Sequence, residues 1–126
     1  MMSVVRTADS RRTETPNAVM TTFASPSLGG AGQSLWRVDM NPGAQGPLHL
    51  FDVEQIWSVV GGAATVEVDG ETFGVGPGDT VVMPPAVPRR VTADPHAGFA
   101  AVVTAAGGAR ATLPDGTDKG VPPWIA

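Results

Sequence analysis

The amino-acid sequence predicts an all-β domain, a sandwich or closed barrel of short antiparallel strands. Glycine and proline give the first indication: 16 and 12 of 126 residues, together about a fifth of the chain and roughly double the average share. Breakers at that density leave little room for helices of ordinary length. Periodicity gives the second. No stretch places apolar residues at helical spacing, whereas short alternating or continuous apolar runs recur at roughly 8–12-residue intervals with turn residues between them. The third is that 42% of the chain is hydrophobic, enough to build a core, so the runs read as buried strands and not as a disordered chain.

Residues 1–16 read as a flexible tail, because Arg6, Arg11 and Arg12 mix with Asp9 and Glu14 and apolar content is low. An arm ordered against a partner subunit is the alternative. The barrel itself is expected over 17–113. Val19, Thr21 and Phe23 share one parity and predict a strand with those three on its buried face. Residues 25–33, SPSLGGAGQ, are loop by composition. Ser34 to Met40 is a strand with Trp36, Val38 and Met40 on one face and Arg37 and Asp39 on the other, ended by Asn41-Pro42-Gly43. Glu54 to Val60 is a strand running into Gly61-Gly62, a turn or bulge. Ala63 to Val68 alternates, Asp69-Gly70 is a hairpin signal, and Glu71 to Val75 returns. GPGD at 76–79 turns the chain into Thr80–Met83, a short apolar strand broken by Pro84-Pro85. Arg89 to Ala93 and Phe99 to Thr104 are two strands joined through Asp94-Pro95, and Ala109 to Leu113 is a last edge strand. Residues 114–126 are an irregular tail, with Trp124 available to dock it.

Composition also bounds function. There are no cysteines, which excludes disulfides, thiolate metal sites and a cysteine nucleophile. A net charge of −4 argues against a nucleic-acid partner, which calls for a basic patch. The longest uncharged stretch, Ala18 to Trp36, is interrupted by Ser25-Pro26-Ser27 and Gly29-Gly30 and would not cross a bilayer. No signal-length apolar segment opens the chain, so a cytoplasmic location is expected. No serine sits in a nucleophile elbow, and Gly76-Pro77-Gly78 has no following lysine that would make it a phosphate loop.

Two segments carry more specific information: 43–62, GAQGPLHLFDVEQIWSVVGG, and 70–89, GETFGVGPGDTVVMPPAVPR. They resemble the two motifs of the cupin superfamily. Gly43 followed after five residues by His49, and Gln55 followed after six by Gly62, are similar to the first motif; Gly70, Gly78-Asp79 and the Pro-rich turn at 84–88 are similar to the second. The resemblance spans about residues 34–104. It implies a double-stranded β-helix of jelly-roll type with a ligand cavity in its mouth, and a homodimer. It also implies a degenerate metal-ligand set: His49 stands at the first His position, but Phe51 replaces the second His, Gln55 the Glu, and Arg89 the last His.

Strand parity supplies the expected cavity without the resemblance. If His49 points inward so does Phe51, and a parity-preserving connection adds Gln55, Trp57 and Val59; a one-residue bulge at Asp52-Val53 would bring Glu54 inside instead. His49 is a candidate acid/base, or a neutral buried histidine. Arg89 is a candidate anion binder, or the partner of Glu54 or Asp52, or exposed; Arg90, of opposite parity, is expected at the surface. Phe51 and Trp57 are candidate cavity walls or plain packing, with Met40 and Glu54 as further ligand-binding candidates, while Val81 and Met83 read as core. A metal would fall to His49 and Gln55, joined by Glu54 or by His96 in the Asp94–Gly98 turn.

Three functions follow as expectations. The first is a metal-independent isomerase, cyclase or lyase moving a proton next to a carbonyl, with His49, Gln55 and Arg89 as its catalytic residues and a small apolar or aromatic carbonyl compound or acid as substrate. The second is a divergent metal-dependent cupin, an oxygenase or isomerase. The third is a non-catalytic binding or sensory cupin. The cofactor expectation is correspondingly none, or a divalent metal ion, and the partner a small molecule.

Overall fold

A computed structural model describes residues 3–126; the first two residues of the expected tail lie outside it. The chain folds into β1 (Arg11–Glu14), β2 (Val19–Ala24), β3 (Gln33–Met40), β4 (Leu50–Phe51), β5 (Gln55–Gly62), β6 (Ala64–Val68), β7 (Glu71–Val75), β8 (Thr80–Met83), β9 (Arg89–Ala93), β10 (Phe99–Ala106), β11 (Ala111–Thr112) and β12 (Asp118–Gly120), preceded by a 3-10 turn at Thr7–Asp9. Every strand pairing is antiparallel. One sheet runs β1-β2-β3-β10-β5-β8, a second β7-β6-β9 and a third β12-β11-β4. This is the jelly-roll architecture. Among the described residues no helix is long and apolar enough to cross a membrane.

Alternation places the core. Trp36, Val38 and Met40 of β3, Trp57 and Val59 of β5, Val66 of β6, Val91 and Ala93 of β9, and Ala101 and Val103 of β10 are all buried in one cluster between the sheets. Registers agree with this: Trp36, Val103 and Trp57 lie directly opposite one another across three strands. Asp69 and Gly70 both take positive φ, 50° and 83°, the geometry of a two-residue type I′ hairpin turn. The bulge falls one residue before the expected Gly61-Gly62: Ala100 pairs with Gly61 and Ala101 with Val59, leaving Val60 as the extra residue; Gly62 has φ 64° with its α-carbon against the Gly98 carbonyl, where a Cβ would collide.

Three expectations are corrected. In β2 the buried residues are Met20 and Thr22, and Phe23 is 37% exposed. Pairing explains it: Met20 lies opposite Val38 and Thr22 opposite Trp36, so these two share the inward face of β3. Thr22 satisfies its buried hydroxyl by donating to the Trp124 carbonyl at 2.7 Å. Second, Arg11–Glu14, read as tail, is a strand paired with β2 from Arg11↔Thr22 to Glu14↔Val19; a polar edge strand leaves no apolar signal. Third, Ala109–Leu113, expected as a last edge strand, is the two-residue β11 and lies between β12 and β4, where Leu50–Phe51 pairs with Thr112 and Ala111; contacts this short do not show as periodicity.

Candidate functional site

The inward faces of β3, β4, β5 and β9 enclose a cavity of about 150 Å³, bordered by Met40, His49, Phe51, Gln55, Trp57 and Arg89 among others. His49 is held there by the backbone. Its N–H donates to the Arg89 carbonyl at 3.2 Å and its carbonyl accepts from the Arg89 N–H at 3.0 Å, so the segment before β4 is stitched to the start of β9. Gln55 and Trp57, first and third residues of β5, point inward by alternation. Trp57 stacks on Phe99 with ring centroids 6.3 Å apart.

Arg89 organises the polar side of the cavity. It is 5% exposed, and all its partners are neutral. Nη2 donates to Gln55 Oε1 at 2.8 Å and approaches His49 Nε2 at 3.2 Å; Nη1 lies 2.8 Å from Met83 Sδ. Its central carbon sits 4.4 Å from the Phe51 ring centroid, a cation–π contact. A guanidinium can only donate, so His49 Nε2 accepts and Nδ1 carries the ring proton. Gln55 Oε1 accepts a second bond from Trp57 Nε1 at 3.1 Å. The ion pairs among the described residues are Arg12–Glu14, Arg37–Asp39 and Arg110–Asp118; none involves Arg89. Burial lowers the Arg89 pKa to about 9, leaving a cation at neutral pH. Burial, and then the Arg89 charge, push His49 down to about 3, so its imidazole is neutral.

Of the residues expected in the site, His49, Phe51, Gln55, Trp57, Arg89 and Met40 are brought together. Glu54 is not: it is exposed, because Gln55 takes the inward position at the start of β5. Neither Glu54 nor Asp52 pairs with Arg89; Asp52 Oδ1 accepts from the Arg110 N–H at 2.8 Å. His96 is exposed in the β9–β10 turn, its backbone N–H donating to Asp94 Oδ1 at 2.8 Å. Arg90, expected at the surface, is half-buried and borders the cavity. Met83, read as core, supplies its sulfur to Arg89. Trp124 also borders the cavity, and no sequence signal points to it, since it arrives from the far end of the chain.

The donor set does not suit a metal ion. No group of three or more His, Cys, Asp or Glu side chains comes together among the described residues. The two expected ligand atoms, His49 Nε2 and Gln55 Oε1, both face the Arg89 guanidinium, which would repel a second cation. No chemical step is therefore routed through a metal.

A family model described as "Cupin domain" matches residues 36–105. No curated protein matches the chain. Among solved structures, the chain is similar to an RmlC-like cupin from Shewanella frigidimarina, with TM-score 0.69 and 21% identity over 82% of this chain and 89% of that one. It is similar to the polyketide cyclase RemF from Streptomyces resistomycificus, with TM-score 0.73 and 20% identity over 98% and 89% of the two chains. The salicylate 1,2-dioxygenase from Pseudoaminobacter salicylatoxidans gives TM-score 0.65 and 22% identity over 75% of this chain, which spans only 26% of that protein. At these identities the likeness concerns the fold.

Proposed function

The chain belongs to the cupin superfamily, and from that premise we propose that its cavity binds a small anion with an apolar, ring-sized body and moves a proton next to a carbonyl without a metal. The observation that carries the proposal is Arg89, a buried guanidinium without a carboxylate partner. A buried charge is strongly destabilising unless paired, and a ligand carboxylate or enolate supplies the pair in bidentate geometry. Two buried donors beside it, Arg89 Nε and Gln55 Nε2, have no partner and suit the same oxygens. A cavity of about 150 Å³ is the size that accepts a benzene-like body, and Phe51 and Trp57 give it aromatic walls.

The chemistry follows from these positions. An anionic oxygen drawing the Arg89 donors to itself releases the His49 Nε2 lone pair. The C–H proton next to the substrate carbonyl passes to Nε2, and the bonding electrons move to the carbonyl oxygen. Arg89 and the Gln55 amide stabilise the resulting enolate oxygen. Return of the proton at a different atom gives an isomer; attack of the enolate carbon on a second carbonyl closes a ring. A binding-only cavity is the second reading, favoured by one observation: with its pKa near 3, His49 is a feeble base until an anion offsets Arg89.

Phenylpyruvate in deuterated buffer separates the two. The enzyme reading expects accelerated deuterium entry at the carbon next to the keto group, followed by NMR, and loss of that acceleration in His49→Ala. Saturable binding without exchange supports the binding-only cavity. Absence of binding rejects both.

A further inference from the structure

The chain is acidic, with 12 Asp and Glu against 8 Lys and Arg, so a cation on it is well supplied with partners. Arg12, Arg37 and Arg110 all pair. Arg6, Arg11, Lys119, Arg89 and Arg90 make no ion pair with an Asp or Glu among the described residues, although Arg90 lies opposite Glu67 in the β6–β9 register. Arg89 and Arg90 both border the one cavity, and no Asp or Glu does. Four buried side-chain polar atoms lack a partner among the described residues: Gln55 Nε2, Arg89 Nε, Arg90 Nε and Arg11 Nε. Three of the four belong to residues bordering this cavity, and all four are donors. The cavity thus holds the Arg89 charge, has the Arg90 side chain at its border and carries surplus donors.

We propose that the ligand is a dianion, a ring-sized body carrying two ionised oxygen groups such as an aromatic dicarboxylate, with one group on Arg89 and the other on Arg90. This rests on the anion-binding reading above and names the ligand class. One carboxylate neutralises one guanidinium and leaves the other unpaired. The two side chains also leave β9 on opposite faces, so a second anionic group, at the border of the cavity where Arg90 lies, meets the second charge. The ring between the groups takes the apolar volume beside Phe51 and Trp57.

The experiment is calorimetric titration of the full chain with benzoate and with isophthalate, at neutral pH and fixed low ionic strength. Isophthalate is expected to bind at least about tenfold more tightly than benzoate. Arg90→Gln is expected to bring isophthalate down to the benzoate affinity, and Arg90→Lys, which keeps the charge, to retain most of the preference. Equal affinities in the unmodified protein overturn the proposal, as does a full isophthalate preference in Arg90→Gln. If Arg90→Gln does not fold, the unmodified protein and Arg90→Lys still decide. Benzoate binding that needs Arg89, with no gain from the second carboxylate, overturns the dianion alone. No binding of either ligand, or binding indifferent to Arg89→Met, overturns the anion site and the dianion together.

Discussion

Arg89 is held by three neutral atoms and two aromatic faces, none of which offsets the loss of water around a full charge. Replacing a buried charge by an apolar side chain of similar length is commonly neutral or stabilising by about 1–4 kcal/mol. Arg89→Met is therefore expected to unfold at the same or a higher temperature while losing benzoate binding. Gln55 Oε1 keeps its bond from Trp57, whereas His49 Nε2 loses the Arg89 donor, a cost that offsets part of the gain. A clear drop in thermal stability would show that the hydrogen bonds of Arg89 outweigh its desolvation, and that it is structural. Parity made His49 with Phe51 and Gln55 with Trp57 legible as two same-face pairs, while whether Gln55 or Glu54 joins the first pair rested on the connection at 52–54. The fate of Arg89 was not legible. Whether it meets Glu54, Asp52 or no carboxylate depends on the turn between β4 and β5, and Asp52 is drawn off by the Arg110 backbone N–H, a contact 58 residues away in sequence.

The strands that sequence marks out have a turn residue at each end and an alternating interior; β3, β5, β6 and β9 all do. The missed elements work differently. β1 and β12 are polar and carry no apolar alternation, while the segment after β12 is irregular, as expected, and is fixed by long-range bonds. Buried hydroxyls hold the C-terminal strap: Thr22 donates to the Trp124 carbonyl, Ser34 to the Ile125 carbonyl and Ser25 to the Ala126 carbonyl, at 2.7, 2.5 and 2.7 Å. Ile125 is fully buried in the core cluster. This strap carries Trp124 to the cavity wall. Ile125→Ala removes the apolar anchor and is expected to cost about 2–5 kcal/mol in urea unfolding. Ser34→Ala leaves the buried Ile125 carbonyl without its donor and is expected to cost about 1–3 kcal/mol. In both variants the fluorescence response of Trp124 to benzoate should shrink, measured against a Trp124→Phe control that removes its share of the signal. Unchanged stability in both would mean that the strap is not docked as described.

At the scale of the molecule, two basic groups share one desolvated cavity and the protein is most stable where the weaker one is neutral in both states. The unfolded chain protonates His49 below about pH 6.5, whereas the folded chain resists to about pH 3 because of burial first and the Arg89 charge second. Between those limits the unfolded state binds more protons, so stability falls as pH falls, by at most about 1.4 kcal/mol per unit from this group. A bound anion leaves the burial in place and acts on the lesser cause, the Arg89 charge. It offsets Arg89, raises the His49 pKa, and so couples ligand binding to proton uptake. Affinity for isophthalate is accordingly expected to rise on acidification from pH 7 toward pH 5, and to fall only near about pH 4, where carboxylic acids themselves protonate. Calorimetry in two buffers of different ionisation enthalpy measures the protons taken up per ligand bound. A positive uptake that disappears in His49→Gln assigns it to this residue and gives the proton acceptor of the proposed chemistry its operating state. Zero uptake at pH 5 would mean that the anion does not reach the field of His49, leaving the cavity a binding site without a base.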